Sequence, residues 1–188
     1  LGRVSQESVV LAVQDTTTLN YTAHPATENL GPIGYRLDRG IGLILHDTMA
    51  FNVEGTPLGL LDVQCWARDA EEFGKKKRRH ERPIAGKESK KWLVSFGKVA
   101  EAQRRCPKTI LVSVGDREAD IYEFFLLALK EESGPKLLVR ATQDRLLAEG
   151  QGHLWEKMER QPIGGFQQVH VPRRGNRPAR VARLAVRF

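Results

Sequence analysis

Hydrophobic residues first cluster at Val9 to Gln14, in the stretch VVLAVQ, and this run has the length of a strand. A near-continuous apolar run of that length is typical of a strand covered on both faces. Asp15 to Thr18 follow with short polar side chains, which suit the end of a strand. The pattern therefore predicts a buried strand over residues 9–14 that ends at an acid.

Two further apolar segments follow, GIGLILHDTMAFN at residues 40–52 and PLGLLDVQCWAR at residues 57–68. The connection VEGT is short and contains glycine, which is typical of the turn between two paired strands. The two segments predict a β-hairpin.

Helical and strand patterns alternate after the hairpin. A helix is predicted over residues 89–105 from the helical spacing of Trp92, Phe96, Val99, Ala100 and Gln103. The apolar run 110–115 predicts a strand, the stripe from Ile121 to Leu129 predicts an amphipathic helix that ends near residues 133–135, and KLLVRA predicts another strand. This order indicates an α/β fold with a mixed sheet and helices packed on it.

The pattern changes from Thr142 onward. A short helix is predicted around LWEKMERQ, and GGFQQVHVP and RPARVARLAVRF alternate like the strands of a half-exposed hairpin. We therefore expect a core over residues 1–141 and the start of a separate β-rich insertion over residues 142–188.

The composition suits a globular protein with one core and a small appendage, since 40% of the 188 residues are hydrophobic. No apolar run approaches the roughly 18 residues of a membrane span, and the first residues do not resemble a secretory signal, so we expect a cytoplasmic protein without a membrane segment. Cys65 and Cys106 lack the spacing of a metal or disulfide motif, which fits a reducing compartment. Because the chain starts with leucine and stops inside a predicted strand, we expect a piece of a longer protein.

The net charge of +7 is unevenly distributed. Residues 140–188 carry 10 Lys and Arg against 4 Asp and Glu, whereas residues 1–139 carry 20 against 19. A basic segment of this kind attracts polyanions such as nucleic acid, although a merely basic surface is equally compatible with the charge. The most suggestive basic residues are Arg173, Arg174, Arg177, Arg180, Arg183 and Arg187. The run KKKRRHER at residues 75–82 is more typical of a solvated loop.

One acid follows each of two apolar runs: Asp15 follows the first, and Asp116 follows the run at residues 110–115. If these strands are parallel neighbours, the two carboxylates lie about 5 Å apart at the same sheet edge. Such a pair needs a compensating cation, and two oxygen-ligated divalent ions serve that purpose in phosphoryl chemistry. Simpler roles remain open, because Asp116 could cap the following helix and Asp15 could form a turn. The histidine, glycine and serine motifs of zinc hydrolases, phosphate-binding loops and serine hydrolases are missing.

The sequence also resembles a known family. LAVQDTTTLNY, RGIGLILHDTMAF, GKESKKWL, SVGDREADIYEFF, LLVRATQDR and NRPARVARLAVRF occur in this order. They resemble bacterial cut-and-paste DDE transposases of the insertion-sequence type that includes the enzyme of the kanamycin-resistance transposon. The resemblance extends from about Val9 to Phe188.

The resemblance implies a ribonuclease-H-like core with an Asp, Asp, Glu triad that holds two Mg²⁺ or Mn²⁺ ions. It implies that Asp15 bridges both metals and that Asp116 holds one of them. It assigns Glu118 and Asp120 to the start of a helix, where they support the site without binding metal. Arg140, and with it Arg145, corresponds to positions near transposon-end DNA, and we expect Arg173, Arg174 and Arg177 of the basic hairpin to contact DNA as well.

The family's third acid lies on a later helix with a Tyr, Arg, Glu, Lys signature, and nothing of that kind occurs before Phe188. The family's end-recognition helices and dimerisation region have no counterpart in these residues either. The implied function is metal-dependent cleavage and strand transfer of double-stranded DNA at transposon ends, by a homodimer in the bacterial cytoplasm and on its nucleoid, with the 188-residue chain inactive by itself. Two alternatives remain: a non-catalytic DNA-binding remnant of a transposase, and a metal phosphatase on an α/β sheet.

Overall fold

A computed structural model describes residues 1–34, 39–71, 73, 83–148 and 150–188 of the chain. The strands of the described residues are β1 (Val9–Asn20), β2 (Gly31–Pro32), β3 (Ile41–Phe51), β4 (Pro57–Trp66), β5 (Ile110–Gly115), β6 (Lys136–Val139), β7 (Gly165–Val171) and β8 (Arg180–Val186). The α-helices are α1 (Lys90–Arg105), α2 (Tyr122–Lys130) and α3 (Leu154–Arg160). The basic run at residues 75–82 lies outside the described residues, so its predicted loop stays a prediction.

Strands β1 to β6 form one mixed sheet. The order is β2-β3-β1-β5-β6, with β4 also paired to β3. Strand β1 is antiparallel to β3 and parallel to β5, and β5 is parallel to β6. The predicted α/β class with a mixed sheet and packed helices is therefore confirmed. The parallel pairing of β1 with β5 is the feature that positions the candidate site.

Several predicted elements are confirmed with small shifts at their ends. The hairpin is β3 with β4, joined through a turn in which Gly55 has φ +85°. Helix α1 begins one residue later than predicted, and its last turn carries Arg104 and Arg105, whose charges complement the negative end of the helix dipole. The helix around LWEKMERQ is α3, and the terminal hairpin is β7 with β8.

The first strand differs from its prediction in two ways. It continues through Asn20, so Asp15 lies within the strand rather than at its end. The reason is the long antiparallel ladder with β3, which pairs residues as far as Asn20 with Gly42, and β-branched threonines fit such a ladder well. Burial along β1 alternates instead of being continuous, with Val10, Ala12 and Gln14 buried, so the sheet has one fully covered face at this strand.

The acidic segment after β5 also differs from its prediction. Asp116 caps a short 3₁₀ turn, Arg117–Ala119, and α2 starts only at Tyr122. Helix α2 ends at Lys130, a few residues before the predicted end. The acids therefore belong to a tight turn between strand and helix, and only Glu123 lies in the first turn of α2.

The covered face of the sheet packs against α1 and α2 through two apolar clusters. The first cluster contains Val4, Val10, Ala12, Ala50, Leu58, Val99, Ala102, Cys106 and Leu111. The second contains Trp92, Phe96, Ala119 and Phe124, and the rings of Phe96 and Phe124 meet edge to face with centroids 5.4 Å apart. Aromatic burial of this kind supplies much of the stability of a small core. The second cluster lies directly behind the end of β5.

The described chain divides into two compact units, Leu1–Thr142 and Gln143–Phe188. The observed division lies one residue after the boundary expected from the sequence. The second unit contains α3 and the β7–β8 hairpin, whose residues are mostly exposed on both strands rather than half-exposed as predicted. On this hairpin the guanidinium of Arg183 lies 3.9 Å from the ring centroid of Phe166.

Within the described residues, no helix combines the length and apolar character that crossing a membrane requires. Both cysteines are free thiols, with Cys106 buried and Cys65 exposed.

Candidate functional site

The parallel ladder between β1 and β5 aligns the two acids singled out by the sequence. Its last aligned pair is Val13 with Val114, so two further residues along each strand lead to Asp15 and Asp116. Asp116 keeps an extended backbone, with φ −76° and ψ −167°, so the alignment continues to this residue. Neighbouring strands lie about 4.8 Å apart, and aligned residues of parallel strands point to the same face. Extending this register therefore places residues 15 and 116 at matching positions of neighbouring strands, with both side chains directed to the same face of the sheet.

A third carboxylate joins this row. Asp47 on β3 is the direct antiparallel partner of Asp15. Partial burial, and after it the negative charge of Asp15, raises the pKa of the Asp47 carboxyl above its ordinary value. We call Asp47, Asp15 and Asp116 the acidic row. Sequence reasoning missed Asp47, although its place in the alternating pattern of β3 set it on the face opposite the buried His46 and Thr48.

Asp15 and Asp116 each use one oxygen in a local hydrogen bond. The amide of Thr16 donates to Oδ1 of Asp15 at 2.8 Å, and the amide of Glu118 donates to Oδ1 of Asp116 at 2.8 Å. The simpler capping role of Asp116 is thus present, for the 3₁₀ turn rather than for α2. A carboxylate has further lone pairs, so these bonds leave each group able to bind a cation.

Arg140 lies at the other end of the acidic row. Strands β5 and β6 are aligned through Gly115 with Val139, and the amide of Arg140 donates to the carbonyl of Gly115 at 3.1 Å. One further residue along each strand therefore sets Arg140 beside Asp116. Arg140 is exposed, so its guanidinium is available to an anionic ligand next to the acids.

Glu118 and Asp120 do not extend the acidic row. Glu118 is exposed and lies 3.7 Å from the ammonium of Lys91 on α1, whose pKa is lowered by burial. Asp120 is buried, and its carboxylate accepts a hydrogen bond of 2.7 Å from the amide of Thr142. Asp120 thereby ties the chain that follows Arg140 back to the turn that follows Asp116. These contacts are compatible with the supporting roles expected for both acids.

Behind the acidic row, on the covered face of the sheet, lies the fully buried His46. Burial, reinforced by the positive charge of Lys91, lowers the pKa of His46 from 6.5 to about 4. The ring of Trp92 meets the imidazole edge to face, with centroids 4.7 Å apart. His46 is therefore neutral at physiological pH, and nothing in the sequence pattern distinguished it from an ordinary strand residue.

The remaining predicted DNA-binding residues belong to the second unit. Arg173, Arg174 and Arg177 lie at the tip of the β7–β8 hairpin and are exposed, and the two residues Arg174 and Arg177 form an antiparallel bridge through their backbones. Arg145 is half-buried, and its carbonyl accepts a hydrogen bond from the amide of Leu154 at the start of α3. The hairpin tip thus presents basic side chains on a short, ordered turn.

The donor chemistry of the acidic row fits a hard divalent cation. Mg²⁺ and Mn²⁺ prefer carboxylate oxygens, and Asp15 and Asp116 supply such oxygens on one face of the sheet. Within the described part of the chain, no three His, Cys, Asp or Glu side chains are grouped closely enough to hold a metal ion by themselves. Water and phosphate oxygens are further ligands that Mg²⁺ commonly takes beside one or two carboxylates.

No protein-family model matches the sequence, and no curated protein matches it at a significant level.

Proposed function

We propose that the protein is the catalytic core of a DNA transposase, with a ribonuclease-H-like sheet, that cleaves and joins DNA strands at transposon ends. The observation that supports the proposal is the parallel alignment of β1 with β5, whose register, continued by two residues, leads to Asp15 on one strand and to Asp116 after the other. The same two acids are the ones that the family resemblance identifies as metal ligands. The strand alignment and the family resemblance thus both support this pair as the candidate metal ligands.

In this proposal Asp15 and Asp116 hold Mg²⁺ or Mn²⁺. The bound metals would activate water or a 3′ hydroxyl and stabilise the leaving oxygen of the phosphodiester. Arg140, exposed beside Asp116, would bind a phosphate of the same DNA strand and orient it along the edge of the sheet. The third acid of the triad, the homodimer contacts and the nucleoid association stay expectations of the family resemblance.

A second candidate function is DNA binding without cleavage. It is favoured by the exposed arginines of the β7–β8 hairpin, which form no ion pair with any other residue that the structure describes. Such side chains are suited to phosphate contacts, and binding through them would not require the acidic row.

Strand nicking separates the two functions. The protein, expressed with any residues that its gene encodes after Phe188, is incubated with a transposon-end duplex and Mg²⁺, as wild type, Asp15→Asn and Asp116→Asn. Loss of nicking by at least about a hundredfold in both variants supports the proposal, since each removes a charged group needed by the reacting centre. Glu54→Gln, which removes an exposed carboxylate in the β3–β4 turn, is the matched control. Duplex binding without nicking by the wild type would favour the second function, and nicking unaffected by either substitution would exclude the acid assignment.

A further inference from the structure

A chain of polar side chains crosses three neighbouring strands on the covered face of the sheet, behind the acidic row. The Thr16 hydroxyl lies 2.8 Å from Nδ1 of His46, Nε2 of His46 lies 3.3 Å from Oε1 of Gln14, and Nε2 of Gln14 donates to Oγ of Ser113 at 2.9 Å. His46, Gln14 and Ser113 are buried, and Thr16 is half-buried. We call these four residues the polar chain.

The direction of every hydrogen bond in the polar chain follows from the Gln14 amide. Its nitrogen donates to Ser113, so its oxygen must accept from Nε2–H of His46. The imidazole then has Nδ1 free to accept from the Thr16 hydroxyl. All three contacts are satisfied by one tautomer of a neutral imidazole. His46 is the central member, because it joins two residues of β1 that have no direct bond to each other.

The polar chain is attached to the acidic row through the backbone. Gln14 and Thr16 are the residues immediately before and after Asp15, and successive side chains of a strand point to opposite faces. Both flanks of Asp15 are therefore anchored on the covered face, to β3 through His46 and to β5 through Ser113. Buried polar groups that lose a partner pay a large desolvation cost, so this pattern resists a slip or twist of β1 at this point.

Trp92 of α1 packs against the polar chain at His46. It is buried, it meets the His46 ring edge to face, and its nearest ring carbon lies 3.3 Å from the position that a Cβ on Gly115 would occupy. One indole therefore contacts His46 behind Asp15 and packs against the residue that precedes Asp116. Such packing leaves the imidazole little room to exchange its partners for water.

We propose that His46 is a positioning residue for the metal site: through Thr16 and Gln14 it holds β1 on both sides of Asp15, so that Asp15 keeps its alignment with Asp116. This inference rests on the proposed metal site and adds a residue that would not touch the metal or the DNA. Groups that orient metal ligands from behind commonly change metal affinity by about 10- to 100-fold when they are removed.

The test compares His46→Leu with Val99→Ala. His46→Leu removes both hydrogen bonds and fills part of the same space with an apolar side chain, and Val99→Ala weakens the core on α1 away from the polar chain. Mn²⁺ affinity of the 188-residue chain is measured from the electron paramagnetic resonance signal of free Mn²⁺. Hydrogen exchange of the backbone amides of residues 13–17 is measured on the same proteins without metal. Thr16→Val, which keeps the branched shape and removes only the hydroxyl, replaces His46→Leu if that variant does not fold.

The expected result is Mn²⁺ affinity lower by about tenfold or more in the His46 or Thr16 variant, with faster exchange at residues 13–17, and no change of either in Val99→Ala. Equal reductions in Val99→Ala would show a general stability effect and overturn the proposal, as would unchanged affinity in the His46 and Thr16 variants. If the wild type binds no Mn²⁺, or if Asp15→Asn binds it as tightly as the wild type, the proposed metal site is wrong. In that case, only the hydrogen exchange of residues 13–17 tests whether His46 holds β1 in position. Unchanged exchange in the His46 variant would overturn that role.

Discussion

Asp15 and Asp47 face each other across the β1–β3 ladder. When no metal is bound, the repulsion between their negative charges destabilises the folded chain. Like charges directly opposite each other in a sheet are destabilising. We therefore expect Asp47→Asn to raise the free energy of unfolding at pH 7 by about 0.5 kcal/mol when no divalent metal is present. Urea unfolding followed by circular dichroism measures the change.

The control for this prediction is Glu54→Gln, an exposed carboxylate in the turn after β3. It removes the same charge without a facing carboxylate, so it should leave the free energy of unfolding unchanged. A gain of equal size in both variants would attribute the effect to net charge instead of the contact with Asp15. A decrease of stability in Asp47→Asn would show that the ionised Asp47 is stabilised in the fold.

His46 makes the free energy of unfolding depend on pH, and this free energy falls as the pH falls. Its pKa is about 4 in the folded chain and 6.5 when unperturbed, so between these values the unfolded chain binds a proton that the folded chain does not. Stability from this residue is complete above pH 6.5 and is lost as the pH falls toward 4, by at most about 3 kcal/mol in total. Urea unfolding at several pH values, compared between wild type and His46→Leu, isolates this contribution. Parallel profiles for the two proteins would contradict it.

Among the secondary-structure elements, the turn from β5 into the 3₁₀ segment depends on a close approach at Gly115. A Cβ on this residue would lie 2.4 Å from Cβ of Ala119 and 3.3 Å from the Trp92 ring. Neither neighbour can move freely, because Ala119 belongs to the turn and Trp92 is buried. We expect Gly115→Ala to lower the free energy of unfolding by about 1–3 kcal/mol, the usual effect of forcing an extra methyl group into a packed core.

Gly97 provides the matched control for this substitution. It lies inside α1, and a Cβ there would have no atom within 4 Å. Gly97→Ala should therefore stabilise the chain by up to about 1 kcal/mol, because alanine favours the helix. Opposite signs for the two substitutions in thermal unfolding support the packing explanation. Similar signs would contradict it.

The β7–β8 hairpin is the element predicted to bind DNA through its tip. Changing Arg173, Arg174 and Arg177 together to glutamine should weaken binding to any duplex and make its salt dependence shallower, by about one unit of slope for each phosphate that the variant no longer neutralises. Fluorescence anisotropy across a range of salt concentrations measures both quantities. The same change at Arg105, Lys108 and Lys130, three exposed residues of the first unit, removes equal charge and should alter the slope less. Equal slopes in the two triple variants would argue against the hairpin.

In the whole chain, metal binding is coupled to folding. The residues of the acidic row lie on or directly after three different strands and come together only when these strands are paired. A ligand that binds only the folded state stabilises it by about 2.7 kcal/mol at a concentration one hundred times its Kd. We therefore expect Mn²⁺ to raise the unfolding temperature of the 188-residue chain, and Asp15→Asn to abolish the rise. Scanning calorimetry with and without Mn²⁺ tests this, with Glu54→Gln expected to respond like wild type. A rise that persists in Asp15→Asn would assign the metal to another position.

Much of the architecture follows from local patterns. The spacing of apolar residues predicts α1 and the β3–β4 hairpin to within a few residues, because helices and strands repeat with different periods. The same patterns predict the end of β1 incorrectly. The polar half of this strand, from Asp15 to Asn20, is a strand only because β3 pairs with it. They also misjudge the turn at Arg117–Ala119, where capping by Asp116 gives a short 3₁₀ segment before α2.

Local sequence patterns were sufficient to establish most of the strands and helices, and to show that Asp15 and Asp116 each follow an apolar run, since both depend on residues close together in the chain. The folded sheet was needed to show that β1 and β5 are parallel neighbours, that Asp47 faces Asp15, and that His46 lies behind them. These relations join residues 30 to about 100 positions apart. No local period encodes them, because strand order and register are set by which faces pack together in the folded sheet.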